Sequence, residues 1–192
     1  QPVLYGGRFV DDPEQGRVLE LQRGEGLWGE RSRRTVNHPD GHANKTIAFT
    51  FKAEDTTARQ VLYSEGHTNA GFNIYLDRGK LYAGGWGVKS KFGSWDGNWI
   101  EAEAVESDRW HRVVLVLQNA TDQVKPDTLH LYIDGEPVGS APAKRLPQHH
   151  SAPRLGSARS TRYHDGETGS NEAFVGRLAD FQLINDARPP RR

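Results

Sequence analysis

The feature that most constrains this chain is hydrophobic alternation with a period of two. Ile47, Phe49 and Phe51 alternate with Ala48, Thr50 and Lys52. Phe72, Ile74 and Leu76 alternate with Asn73, Tyr75 and Asp77, and Leu129, Leu131 and Ile133 with His130, Tyr132 and Asp134. Successive side chains of a strand point to opposite faces, so each set turns one face to a core and one to water. The run Val113 to Leu117 is apolar at every position, which predicts a central strand covered on both sides. No stretch has a helical period with caps. Between the runs lies turn chemistry: Asp134-Gly135 predicts one tight hairpin and Arg78-Gly79 a second. Short strands with turns at this spacing predict an all-β, two-sheet antiparallel sandwich, a jelly roll.

Composition narrows the function classes. The 192 residues suit one such domain, with a core that needs no staples. Lys plus Arg and Asp plus Glu are 25 each, and this balance gives no support for nucleic acid as a partner. Cys is absent, which removes disulfides, thiolate metal sites and cysteine nucleophiles. It also favours a bacterial over an animal extracellular protein. Met is absent even at position 1, as expected of a chain that starts inside a longer precursor or has been processed. No apolar stretch is long enough to span a bilayer as a helix. The polar tail 187–192 reads as a linker to a neighbouring domain, leaving 1–186 as the folded unit.

Three segments in order carry a family resemblance. Asp108-Arg109-Trp110-His111-Arg112-Val113-Val114 resembles the Trp-His strand of laminin-G-like domains. Leu129-His130-Leu131-Tyr132-Ile133-Asp134-Gly135 resembles their hairpin, and Phe174-Val175-Gly176-Arg177-Leu178-Ala179-Asp180-Phe181 their closing strand. Thr46–Ala53 fits an upstream strand, with Phe51 where the family favours Trp. The chain is thus similar to the laminin-G/concanavalin-A-like class, which implies two packed antiparallel sheets and, for most members, glycan or protein binding. Fold alone fixes no function.

The resemblance implies a calcium site. In relatives, the Asp matching Asp180 joins backbone carbonyls of the N-terminal segment around the ion, here Tyr5-Gly6-Gly7. Calcium favours such mixed oxygen donors. In the closing strand Phe174, Gly176 and Leu178 share one parity and Phe181 and Leu183 the other. A bulge near Ala179-Asp180 reconciles them and pushes Asp180 outward.

Two loops are candidate binding surfaces. Residues 84–99 hold Trp86, Trp95 and Trp99 among glycines and polar side chains. Indoles stack on the apolar faces of sugars, so this predicts a glycan platform with at least one exposed ring. Trp110 is read as core. Residues 159–172 hold Tyr163 and Asp165 in the loop that relatives use for ligand or calcium. Other readings are weaker. Adjacent His149 and His150 point apart on extended chain, which argues against zinc. The run Glu101, Glu103 and Glu106 resembles the Glu-x-Asp-x-(x)-Glu strand of some glycosidases, where alternation sets carboxylates on one face, but lacks its central Asp and a hydrophobic strand around it.

The sequence therefore predicts a non-catalytic carbohydrate-binding or adhesion module with structural calcium, from a secreted or surface protein. The alternatives are a structural or protein-binding spacer and, further off, a glycoside hydrolase or lyase.

Overall fold

The computed structural model describes residues 3–29, 38–88, 93–103, 105–149, 151–170 and 172–190. Their strands, in chain order, are β1 (Val3–Tyr5), β2 (Arg8–Asp12), β3 (Gly16–Leu21), β4 (Gly26–Trp28), β5 (Lys45–Ala53), β6 (Gln60–His67), β7 (Ala70–Asp77) and β8 (Lys80–Gly87). They continue as β9 (Trp95–Ala102), β10 (Trp110–Leu117), β11 (Lys125–Ile133), β12 (Glu136–Ala143), β13 (Arg154–Leu155), β14 (Thr161–Arg162), β15 (Thr168–Gly169) and β16 (Gly176–Ile184). No helix occurs among the described residues.

Two seven-stranded antiparallel sheets result. The first runs β1-β4-β13-β6-β7-β8-β9 and the second β12-β11-β10-β5-β16-β3-β2, while β14 and β15 form a small ribbon. The alternating residues meet between the sheets as predicted. Ile47, Phe49 and Phe51 of β5 and Val113, Leu115 and Leu117 of β10 pack against Phe72, Ile74 and Leu76 of β7. Both expected hairpins are present: Asp77 faces Lys80 across Arg78 (φ 54°) and Gly79 (φ 79°). Asp134 (φ 54°) and Gly135 (φ 87°) close the second. Positive φ at both central residues matches the right-handed twist of the flanking strands.

The outer face of β10 is covered, as its sequence requires. Val114 and Val116 cluster with Ala48, under Tyr132 and Ala187. Thr46 ties this cover down, donating from Oγ1 to the Asp186 carbonyl and accepting the Arg188 N–H. Ala187 and Arg188 of the expected linker thus lie against the second sheet. Trp110, read as core, belongs to this outer face instead. Alternation in β10 points His111, Val113 and Leu115 inward, so Trp110 faces out, half-buried, beside Asp12.

One charged pair breaks the apolar interior. Lys45 has the same parity as Ile47 and points between the sheets, where its Nζ lies 2.5 Å from Glu65 Oε2. Both side chains are fully buried. His149 Nε2 stands 3.4 Å from the same oxygen. Burial raises the Glu65 carboxyl, yet Lys45 and His149 together hold it down at about 2. Desolvation, with Lys45 adding to it, keeps the nearby His42 imidazole low, at about 4.

Candidate functional site

The three tryptophans of the 84–99 segment do not form an exposed platform. Trp86 is completely buried on the outer side of the first sheet, donating from Nε1 to the His67 carbonyl at 2.9 Å. Trp95 packs into the core between the sheets. Trp99 is half-buried, parallel to Trp86 at 6.0 Å between ring centroids, and donates to Asn73 Oδ1. The neighbouring glycines explain this. A Cβ on Gly71 would stand 2.9 Å from the Trp86 ring, and one on Gly84 2.5 Å from the Trp99 ring. Glycines that resemble a binding loop in sequence are the seats of these indoles. Residues 89–92 of this segment lie outside the described residues.

The 157–170 loop lies down on the same face. Asn73, fully buried, donates to Thr161 Oγ1 at 2.9 Å and to the Arg162 carbonyl at 2.6 Å. His164 stacks on Tyr82 at 3.9 Å and 3°, and its Nδ1 sits 2.6 Å from the Tyr75 hydroxyl oxygen. Tyr163, a candidate ligand residue, is buried under the Arg59 guanidinium, which is 4.4 Å from its ring centroid. Arg59 also holds Asp165 at 2.6 Å, Asp77 at 2.8 Å and Glu167 at 2.8 Å. Tyr163 and Asp165 therefore fasten the loop to the sheet. Asp77, His164 and Asp165 lie close enough to share an ion, but the cation held there is the Arg59 guanidinium.

The implied calcium ligands are not brought together. The predicted bulge is present: pairing shifts between Ala179 and Gln182, and Asp180 is exposed with φ 51°. However, β16 pairs with β3 as Gly176 to Leu21, and Gly7 lies against Leu21 and Glu20. Asp180 is four residues further along, roughly 13 Å at about 3.3 Å per residue. Tyr5 and Gly6 lead away from it toward Glu25 and the first sheet. Ligands of one calcium lie 2.3–2.6 Å from the ion, so Asp180, Tyr5 and Gly6 do not fit a shared site. The bulge explains Asp180 without a metal, since Asp is among the few residues that adopt left-handed backbone readily. Asp180→Gly is expected to be near neutral in thermal unfolding and Asp180→Val to cost about 1–2 kcal/mol. Equal losses in both would show that the carboxylate itself matters and would reinstate a bound cation.

The acidic run is held in ion pairs at the surface. Lys80 Nζ binds Glu101 at 2.6 Å and Glu103 at 2.9 Å, and Glu106 pairs with Arg109. Hydrogen bonds from Lys80 and Tyr82 hold the Glu101 carboxyl at about 2. A general acid needs the opposite shift.

What the sequence did not announce is an aromatic platform at the edge of the first sheet. Strand β1 pairs with β4 (Val3 to Trp28, Tyr5 to Gly26), and β4 with β13 (Trp28 to Arg154). These registers put Tyr5, Trp28 and Arg154 on the outer face. Tyr5 and Trp28 are parallel within 6°, with centroids 5.3 Å apart, and Tyr5 remains 58% exposed. The Arg154 guanidinium lies 4.2 Å from the Trp28 ring centroid. Together with Glu25, Ser157 and Ala158 they line a pocket of about 260 Å³. That is slightly below the roughly 300–1,000 Å³ of drug-sized sites, a fit for about one sugar ring. Gly156 (φ 77°) lets the chain turn behind this wall, where a Cβ would stand 2.3 Å from Leu21.

A laminin-G model described as "Concanavalin A-like lectin/glucanases superfamily" matches residues 31–192. The chain belongs to this superfamily. No curated protein matches it in sequence. Among solved structures, domain 4 of AbnA, a GH43 extracellular arabinanase from Geobacillus stearothermophilus in complex with arabinotriose, superposes with TM-score 0.64 at 12% identity. That match covers 98% of this chain and 84% of the other. The botulinum neurotoxin serotype G binding domain gives 0.68 at 10% identity, over 98% of this chain and 44% of that one. Mouse laminin alpha1 domains LG4-5 give 0.55 at 12%, over 82% and 41%. The chain spans under half of the toxin and laminin chains. Identities this low establish the fold, the two-sheet jelly roll of the superfamily.

Proposed function

We propose that this domain is a non-catalytic module that binds a polysaccharide or glycoconjugate on the Tyr5–Trp28–Arg154 platform, within a secreted or surface bacterial protein. The observation that carries the reading is the exposed Tyr5 ring, parallel to the half-buried Trp28, beside a pocket of one-sugar size. Aromatic faces stack on sugar C–H groups, while Ser157 and Arg154 supply polar contacts at the rim. The similar structures include a toxin binding domain and an arabinanase domain in complex with arabinotriose, which agrees with this reading. No step of it needs calcium.

An open, shallow site gives weak binding, on the order of micromolar to millimolar. Such a module works by tethering or by repetition. Trp28→Ala is expected to weaken binding of the best array ligand by about 1–3 kcal/mol in titration calorimetry, with the fold retained. Trp99→Ala, away from the platform, should leave affinity unchanged. If Trp28→Ala binds like the parent, the platform is not the site. A domain that binds no glycan at all would be a protein-binding or structural spacer. Release of product sugars by the purified domain would make it an enzyme.

A further inference from the structure

We infer that the platform's ligand carries an acidic group, a carboxylate or sulfate ester, beside the sugar ring that packs on the Tyr5–Trp28 wall, and that Arg154 receives it. The inference rests on the platform being a saccharide site, and specifies which saccharides it takes.

Two other arginines that lie against the sheets are neutralised by carboxylates. Arg59, pressed against the first sheet, is held by three carboxylates. Arg177, on the second sheet, is held by Asp12 and Glu20. Arg154 is half-buried as well, yet among the described residues no carboxylate pairs with it. Its one recorded partner is the face of Trp28. Burial and the nearby Arg159 both push its proton affinity down, so its charge is under stress in the free domain. Glu25 shares the pocket but spends its carboxylate on the backbone N–H groups of Gln22 and Gly7. The lining thus holds one carboxylate already engaged by backbone N–H groups and one guanidinium, that of Arg154, with no anion against it among the described residues.

An anion relieves this arrangement. Guanidinium offers a planar fork of N–H donors that matches the two oxygens of a carboxylate or sulfate. Stacking on Trp28 fixes the plane of that fork before the ligand arrives, so little freedom is lost on binding. Arg159, exposed and close by, adds long-range attraction that salt will screen. A neutral sugar would satisfy the rings and leave Arg154 unpaired.

The test uses an array holding neutral, uronate-bearing and sulfated oligosaccharides, then calorimetry with the best acidic hit and its neutral counterpart. A methyl ester serves for a uronate, and the desulfated sugar for a sulfate. The two acidic sets separate the two anion sources. Acidic members are expected to bind at least ten-fold more tightly than their neutral partners, and less so as salt rises. Arg154→Gln should erase that difference, Arg154→Lys should restore only part of it, and Arg159→Gln should cut it by a smaller factor. Unchanged melting temperatures for the Gln and Lys variants exclude a folding defect. Equal binding of acidic and neutral sugars, or unchanged acidic binding in both Arg154 variants, overturns the inference and leaves the saccharide reading standing. If no array member depends on Trp28, both fall together.

Discussion

Glu65→Gln is expected to lower the unfolding free energy by about 3–5 kcal/mol, and Lys45→Met by a similar amount. Each change leaves one charged or polar group buried without its partner, and that group bears a desolvation penalty it can no longer offset. The double variant Lys45→Met with Glu65→Leu should return close to the parent or exceed it, because both desolvation terms vanish at once. Urea titration checks this through the midpoint at constant slope. Simple addition of the two single losses would show that the pair does not act as a unit. The same pair sets the acid limit of the fold. Glu65 titrates at about 2 in the folded domain, against an ordinary carboxylate value of 4.5. A carboxyl depressed by folding contributes stability that is present above its unfolded value and lost as pH falls through its folded value. The parent should therefore lose stability from about pH 4.5 down to about 2, and Glu65→Gln should lose less over that range.

The architecture was legible because its signals are local. Alternation in Ile47–Phe51 and Phe72–Leu76 fixes which side of each strand is wet, and Arg78-Gly79 and Asp134-Gly135 fix two hairpins. The parity slip in the closing strand announced the bulge at Asp180. Positions that depend on which strands become neighbours were not legible. Trp110 follows parity to the outer face, although its motif suggested the core. Tyr5, Trp28 and Arg154 come from three segments far apart in sequence, and only the β1-β4-β13 pairing joins them. Trp28 stands in a polar stretch with no alternation, so nothing local marked it as a ligand ring. The Gly-rich 84–99 segment misled for a related reason: glycine serves mobile loops and tight ring seats alike, and only cross-strand contacts distinguish them.

Trp86→Ala should cost about 3–5 kcal/mol, the range for deleting a large aromatic from a packed interior. The indole is fully enclosed, so the void cannot be filled by solvent without exposing its lining. Gly71, kept bare to admit the ring, has no side chain with which to close the gap. The His67 carbonyl also loses its donor, and Trp99 the ring it lies parallel to. Domains of this size shift by about 2–4 °C in melting temperature per kcal/mol, so Trp86→Ala should melt roughly 6–20 °C lower. The same measurement on Trp28→Ala should show a far smaller shift together with lost binding, because Tyr5 and Trp28 sit at a sheet edge that stays open to water. The two tryptophans thus separate fold from function: one variant loses stability, the other affinity. If Trp86→Ala instead melts like the parent and binds sugar weakly, the buried ring is a ligand ring, and the binding surface belongs on β8 after all.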